Sequence, residues 1–162
     1  MKIICVGRNY AEHAREMHSE VPQVPVIFLK PDTALLREGQ PFYLPDFSND
    51  IHHEIELVLK ISKEGKHVAE KFAHKYYEEI GLGIDFTARD IQAEHKKKGL
   101  PWELAKAFDN SAPIGRFVSK SSIENLDNIF FHLEVNGEKR QSGNSKDLIF
   151  KFDYLISFIS RY

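Results

Sequence analysis

Glu54 and Glu56 lie two apart in the alternating stretch Glu54 to Ile61, where Ile55, Leu57, Leu59 and Ile61 share the opposite face. Side chains repeat every second residue along a strand, so both carboxylates emerge on one side, roughly 7 Å apart at the backbone. They can converge on one ion, although a solvated strand face is the more ordinary use of such a pair. Asp85 stands in Gly81-Leu82-Gly83-Ile84-Asp85-Phe86, an apolar setting in which an unpaired carboxylate is expensive to bury. Three carboxylates with no nearby Cys suit a hard divalent ion, Mg²⁺ or Mn²⁺, which keeps several waters and leaves positions open for substrate. His52 and His53 precede the pair and point to opposite faces; adjacent histidines are more often structural or exposed, so they stay outside the ligand set.

His13 and Glu16 are three apart and would share a helix face, where a carboxylate can hold the imidazole's tautomer and raise its basicity. Such a dyad can activate water; an exposed polar pair is the alternative. Lys106 lies in Leu104-Ala105-Lys106-Ala107-Phe108, which would partly desolvate its ammonium and suit it to a carboxylate or oxyanion, or else leave it snorkelling at the surface. Arg8 and Arg89 could clamp a substrate carboxylate. His95-Lys96-Lys97-Lys98 ahead of Gly99 reads as cations at a helix C-terminus, with no further function.

These residues need elements to place them. Lys2 to Val6 reads as a short buried strand, and Asn9-Tyr10-Ala11-Glu12 as a capping box opening a helix over roughly 10–18. Val26 to Lys30 is an apolar run closed by Pro31, and Glu54 to Ile61 is the clearest alternating strand. Val68 to Ile80 is helix-like, with Phe72, Tyr76 and Ile80 spaced by four. Thr87-Ala88-Arg89-Asp90 has a cap signature for a helix stopped by Gly99. Phe130 to Val135, Asn136-Gly137 and Glu138 to Gln141 form the strongest hairpin signal, because Asn-Gly accepts the positive φ of a type I′ turn. Ser145 caps a last helix with a stripe of Leu148, Ile149, Phe152, Leu155, Ile156 and Ile159.

The chain has 162 residues, 42% hydrophobic and 28% charged, with 22 basic and 24 acidic side chains for a net charge of −2. That composition excludes disordered and collagen-like classes and supports a proper core. The lone Cys5 rules out an internal disulfide framework and any multi-cysteine zinc site, which favours a cytoplasmic location. No run approaches the ~20 apolar residues of a membrane span. Without a basic stripe, nucleic-acid binding is disfavoured and small-molecule chemistry is favoured.

Five ordered segments resemble the fumarylacetoacetate hydrolase family, in its small acylpyruvate hydrolase and oxaloacetate decarboxylase-like branch. They are Gly7-Arg8-Asn9-Tyr10-Ala11-Glu12-His13, Pro25-Val26-Ile27-Phe28-Leu29-Lys30-Pro31, His53-Glu54-Ile55-Glu56-Leu57, Gly83-Ile84-Asp85-Phe86-Thr87-Ala88-Arg89-Asp90 and Lys98-Gly99-Leu100-Pro101-Trp102. The resemblance implies a β-rich mixed α/β fold, a β-roll of twisted mixed sheets with short peripheral helices, assembled as a homodimer. It makes Glu54, Glu56 and Asp85 the ligands of Mg²⁺ or Mn²⁺, His13 with Glu16 the water-activating dyad, and Lys106 a catalytic or substrate-orienting cation. It places Arg8, Tyr10, Lys30, Arg89 and Gln92 at or near substrate-facing positions.

The implied activity is hydrolysis of a C–C bond in small acylpyruvates or 1,3-dioxo acids through a metal-bound enolate. Oxaloacetate decarboxylation and isomerisation of an unsaturated 2-hydroxy acid are the alternatives within the same site. Family members continue into a Thr-Gly-Thr-Pro segment and closing strands, so the expectation is a single catalytic domain over 1–162 without its closing segment. An inactive metal-binding remnant is the competing class.

Overall fold

The computed structural model describes residues 1–10 and 21–162. Its strands are β1 (Ile3–Gly7), β2 (Val26–Lys30), β3 (Leu35–Leu36), β4 (Ile51–His52), β5 (Ile55–Ile61), β6 (Tyr77–Ile84), β7 (Thr87–Ala88), β8 (Ala112–Pro113), β9 (Val118–Ser119), β10 (Phe130–Val135) and β11 (Glu138–Asn144). The helices are short: α1 (Glu70–Ala73), α2 (Arg89–Lys98), α3 (Glu103–Lys106) and α4 (Phe152–Ile159). The architecture is mixed α/β and strand-rich, as the sequence implied. Among the described residues no helix is long and apolar enough to cross a membrane.

The chain divides into two compact units. The first comprises Met1–Cys5, Phe28–Val58 and Gly81–Arg116. In it β1 neighbours β2, β3 runs parallel to β8, and β4 lies antiparallel to β7 with Ile51 opposite Ala88 and His52 opposite Thr87. Its interior is built from small residues, with Ala34, Ala88 and Ala105 fully buried, so backbones approach closely. Gly83 shows why size matters: a Cβ there would stand 2.9 Å from Val58 Cγ2 and 3.2 Å from the Pro113 carbonyl. Main-chain bonds then tie the chemistry-bearing segments together. Asp85 N–H donates to the Glu54 carbonyl (2.8 Å), Phe86 N–H to Ser111 O (2.9 Å) and Arg89 N–H to Asp50 O (2.8 Å).

The second unit comprises Val6–Ile27, Leu59–Ile80 and Phe117–Tyr162. The β10–β11 hairpin forms as expected, with Asn136 and Gly137 at φ 54° and 80° and one irregularity between Leu133 and Glu134. β6 pairs antiparallel with β9, matching Ile80 to Val118, and α1 packs against α4. Phe131, Leu133, Leu148, Leu155 and Ile156 form its buried apolar face.

Three element expectations are corrected. The helix read over Val68 to Ile80 is only α1; after Ala73 the chain turns and enters β6, where Tyr77 and Ile80 are buried and Phe72 is left exposed. Gly81 is a poor helix residue, and the ladder to β9 outweighs the fourfold spacing. Thr87 is not the cap of α2: it lies in β7 and its hydroxyl donates to Asp85 O (3.4 Å), while the helix opens from Ala88 without a side-chain cap. Asn9 uses its amide on Phe150, donating to its carbonyl (3.1 Å) and accepting from its N–H (2.8 Å); the helix over 10–18 lies outside the described residues. Ser145 opens a 3₁₀ turn capped by Asn144, and the last helix starts only at Phe152, so Leu148 and Ile149 precede it.

Candidate active site

Lys30, Glu54, Glu56, Asp85, Arg89 and Lys106 fall within the first unit. Glu54 stands immediately before β5, Glu56 is its second residue, Asp85 follows β6, Arg89 opens α2 and Lys106 ends α3. Lys106 is 3% exposed, which removes the snorkelling alternative. Its Nζ donates to Glu54 Oε2 at 2.7 Å and to Asp85 Oδ2 at 2.6 Å. Arg89 takes the other side of Glu54, Nη2 pairing with Oε1, while Nη1 donates to Oε1 of buried Gln92. Arg89 Nε is buried without a hydrogen-bond partner among the described residues.

These contacts set the charges. Burial alone would raise the Glu54 carboxyl, but Lys106 and Arg89 hold it down at about 2. Burial likewise works against the Lys106 ammonium, yet Asp85 and Glu54 keep it above its ordinary value. Glu56 goes the other way: the residue is only half-buried by surface, but burial of its carboxyl, with the charges of Asp85 and Glu54, pushes it to about 8. Cys5 is kept a thiol, pushed up to about 12 by burial and then by Asp85, and is thereby removed from nucleophilic chemistry.

Lys30 differs from the expectation of a substrate-facing cation. It is 2% exposed, and its Nζ donates to Ser111 Oγ (2.9 Å), Ser111 O (3.1 Å), Phe86 O (3.3 Å) and the Lys106 carbonyl. It also stands 2.8 Å from Asp85 Oδ1. That oxygen is buried, and the Lys30 ammonium is the cation it faces. Burial lowers Lys30 below the ordinary lysine range, with Asp85 opposing. Phe28 and Phe108 wall the two ammoniums, 5.4 Å from Lys106 and 5.8 Å from Lys30.

The Fumarylacetoacetate (FAA) hydrolase C-terminal family model matches residues 2–162. The chain belongs to the fumarylacetoacetate hydrolase family. A Bos taurus relative named oxaloacetate tautomerase FAHD1, mitochondrial, is 48% identical over 159 residues, covering 98% of this chain and 72% of the relative. A solved Yersinia pestis CO92 protein ascribed to this same hydrolase family matches at TM-score 0.95 and 43% identity, over 99% of this chain and 74% of that one. The Pseudomonas aeruginosa fumarylpyruvate hydrolase, solved with Mn²⁺ and pyruvate, matches at TM-score 0.90 and 37% identity, over 99% and 71%.

For this fumarylacetoacetate hydrolase family chain, the donor chemistry fits a hard divalent ion. It offers three carboxyl groups: Glu54, Asp85, whose buried Oδ1 faces the Lys30 ammonium, and Glu56, which burial and then the charges of Asp85 and Glu54 push up. Among the described residues no three His, Cys, Asp or Glu side chains already converge as a ligand set, and the Lys106 ammonium bridges Glu54 and Asp85. His52 stays outside, exposed and paired with Asp50 at 2.9 Å. Arg8, at φ 59°, and Tyr10, bridged to Leu148, belong to the second unit. His13 and Glu16 lie outside the described residues. Sequence reasoning missed Ser111, which is fully buried and bonded to both lysine segments. No motif marks it, because its partners are a main-chain carbonyl and a lysine 81 residues away in sequence.

Proposed function

We propose that this chain catalyses enol–keto interconversion of oxaloacetate-class 2-oxo acids with a divalent ion, Mg²⁺ or Mn²⁺, held by Glu54, Glu56 and Asp85. The observation that carries it is the meeting of Glu54 and Asp85 with the Lys106 ammonium and Arg89 in one mostly buried place, near enough to Glu56 for their charges to act on its carboxyl. The 48% identity to an oxaloacetate tautomerase supports the substrate class. When bound, the ion supplies Lewis-acid polarisation of the 2-oxo group.

This chain's own residues do the rest. Arg89 Nε, a buried donor with an open hydrogen, takes a substrate carboxylate oxygen. Gln92 and Glu54 fix the guanidinium that presents it. Lys106 stabilises negative charge on the substrate oxygen as the enol hydroxyl loses its proton and C3 gains one; Phe28 keeps that ammonium from bulk water. His13 with Glu16 is the proton-moving pair, an assignment that rests on the family resemblance.

Hydrolysis of acylpyruvates is the second reading, favoured by the likeness to a fumarylpyruvate hydrolase solved with pyruvate. Assaying oxaloacetate, fumarylpyruvate and simple acylpyruvates with Mg²⁺ or Mn²⁺ separates them. The tautomerase reading expects loss of the enol's ultraviolet absorbance without pyruvate release. Pyruvate from an acylpyruvate establishes the hydrolase, pyruvate from oxaloacetate the decarboxylase, and no turnover on any of them defeats the proposal. A homodimer in a reducing compartment completes it, supported by the family resemblance and by the single free Cys5; sedimentation measures the former.

A further inference from the structure

Lys30 and Lys106 are both buried lysines beside Asp85, yet their partners differ in kind. Lys106 faces carboxylates alone. Lys30 faces a cage of main-chain carbonyls from Phe86, Lys106 and Ser111, completed by the Ser111 hydroxyl, with Asp85 Oδ1 at its edge. An ammonium has three N–H groups, and this cage offers more acceptors than that, so no donor is left for a substrate.

The cage joins segments far apart in the chain: β2, the turn after β6, the end of α3 and the loop before β8. Two of its attachments bear directly on the proposed chemistry. The carbonyl of Lys106 is the root of the ammonium that bridges Glu54 and Asp85, and Asp85 is the acid that ammonium meets. Ser111 closes the loop, its hydroxyl donating to the same Lys106 carbonyl at 3.1 Å.

We propose that Lys30 is a positioning residue: through its carbonyl cage it fixes the Lys106 main chain and the Asp85 carboxylate relative to each other, without touching substrate. This deepens the proposed function and rests on it for its kinetic arm. A displacement of about 1 Å at such a site is enough to cost about 100-fold in turnover.

The test combines kinetics and crystallography on the full chain carrying Lys30→Met or Ser111→Ala. Wild-type turnover is measured first, so failure of the functional reading shows there and not in the variants. Lys30→Met is expected to lower kcat about 100-fold with KM within about threefold, as expected when transition-state stabilisation alone is lost. The double variant should be no worse than Lys30→Met alone, because both substitutions break one cage. A KM rise with kcat retained makes Lys30 a substrate contact and overturns the proposal, as does an additive double variant. Independently of any activity, the crystal structure of either variant should show Lys106 Nζ parted from Asp85 Oδ2; the 2.6 Å contact surviving in both overturns it. Ser111→Ala, which leaves every charge in place, carries the test if Lys30→Met does not fold.

Discussion

At the residue scale, the site is a problem of charge balance. Glu54 and Asp85 meet Lys30, Lys106 and Arg89, while the Glu56 carboxyl near them is pushed up by burial and then by the charges of Asp85 and Glu54. Removing one partner of such a buried set strands the other, which is costlier than never having built the pair. Lys106→Met is therefore expected to lower stability by about 3 kcal/mol in denaturant titration and to lower kcat by at least about 100-fold. Full activity in that variant would remove Lys106 from the chemistry. The acids were legible in the sequence because alternation and an apolar neighbourhood are local signals. Lys30's cage was not: its acceptors are carbonyls 56 to 81 residues away in sequence, and a carbonyl carries no residue signature.

At the element scale, the same division holds. Gly99 at φ 65° stops α2, and Asn136-Gly137 turns the hairpin, because those conformations favour particular residues at those positions. The stretch after Ala73 was misread because pairing of β6 with β9 is decided far from Phe72 and Tyr76. Gly83 in β6 belongs with the local constraints. Its missing Cβ makes room for Val58, whose branched side chain is stiff, and for the Pro113 carbonyl. Gly83→Ala should destabilise by about 1–3 kcal/mol, read as a lowered denaturation midpoint; an unchanged midpoint would show that the strands can part freely.

Asp153, in the first turn of α4, makes a prediction about pH. A helix N-terminus favours a carboxylate, and His74 and Lys120 act the same way, but burial, with Glu70 and Asp127, outweighs them and raises this one; its Oδ1 is buried without a hydrogen bond among the described residues. A raised folded-state value means the folded chain holds its proton longer than the unfolded chain, so stability falls as pH rises through and above the ordinary carboxylate range. Asp153→Asn should raise Tm at pH 7 and leave it unchanged near pH 3. Melts at both pH values check this, and a lower Tm at pH 7 would show the charge to be stabilising.

At the scale of the whole molecule, nothing in a net charge of −2 or a 42% apolar composition specifies chemistry. The specificity comes from three stretches of the first unit, around Glu54, Asp85 and Lys106, drawn together by main-chain bonds such as that from Asp85 N–H to Glu54 O. Family membership then gives those residues a context that composition could not. The central claim is that Glu54, Glu56 and Asp85 hold a divalent ion that the reaction requires. The most direct measurement is turnover of enol oxaloacetate by wild type and Glu56→Gln, each metal-stripped and titrated with Mn²⁺, with Mn²⁺ binding followed calorimetrically. Wild-type turnover is expected to appear only with Mn²⁺, and Glu56→Gln, still folded, is expected to lose both Mn²⁺ binding and at least about 100-fold in rate. Turnover that is equal without metal, or undiminished in Glu56→Gln, would contradict it.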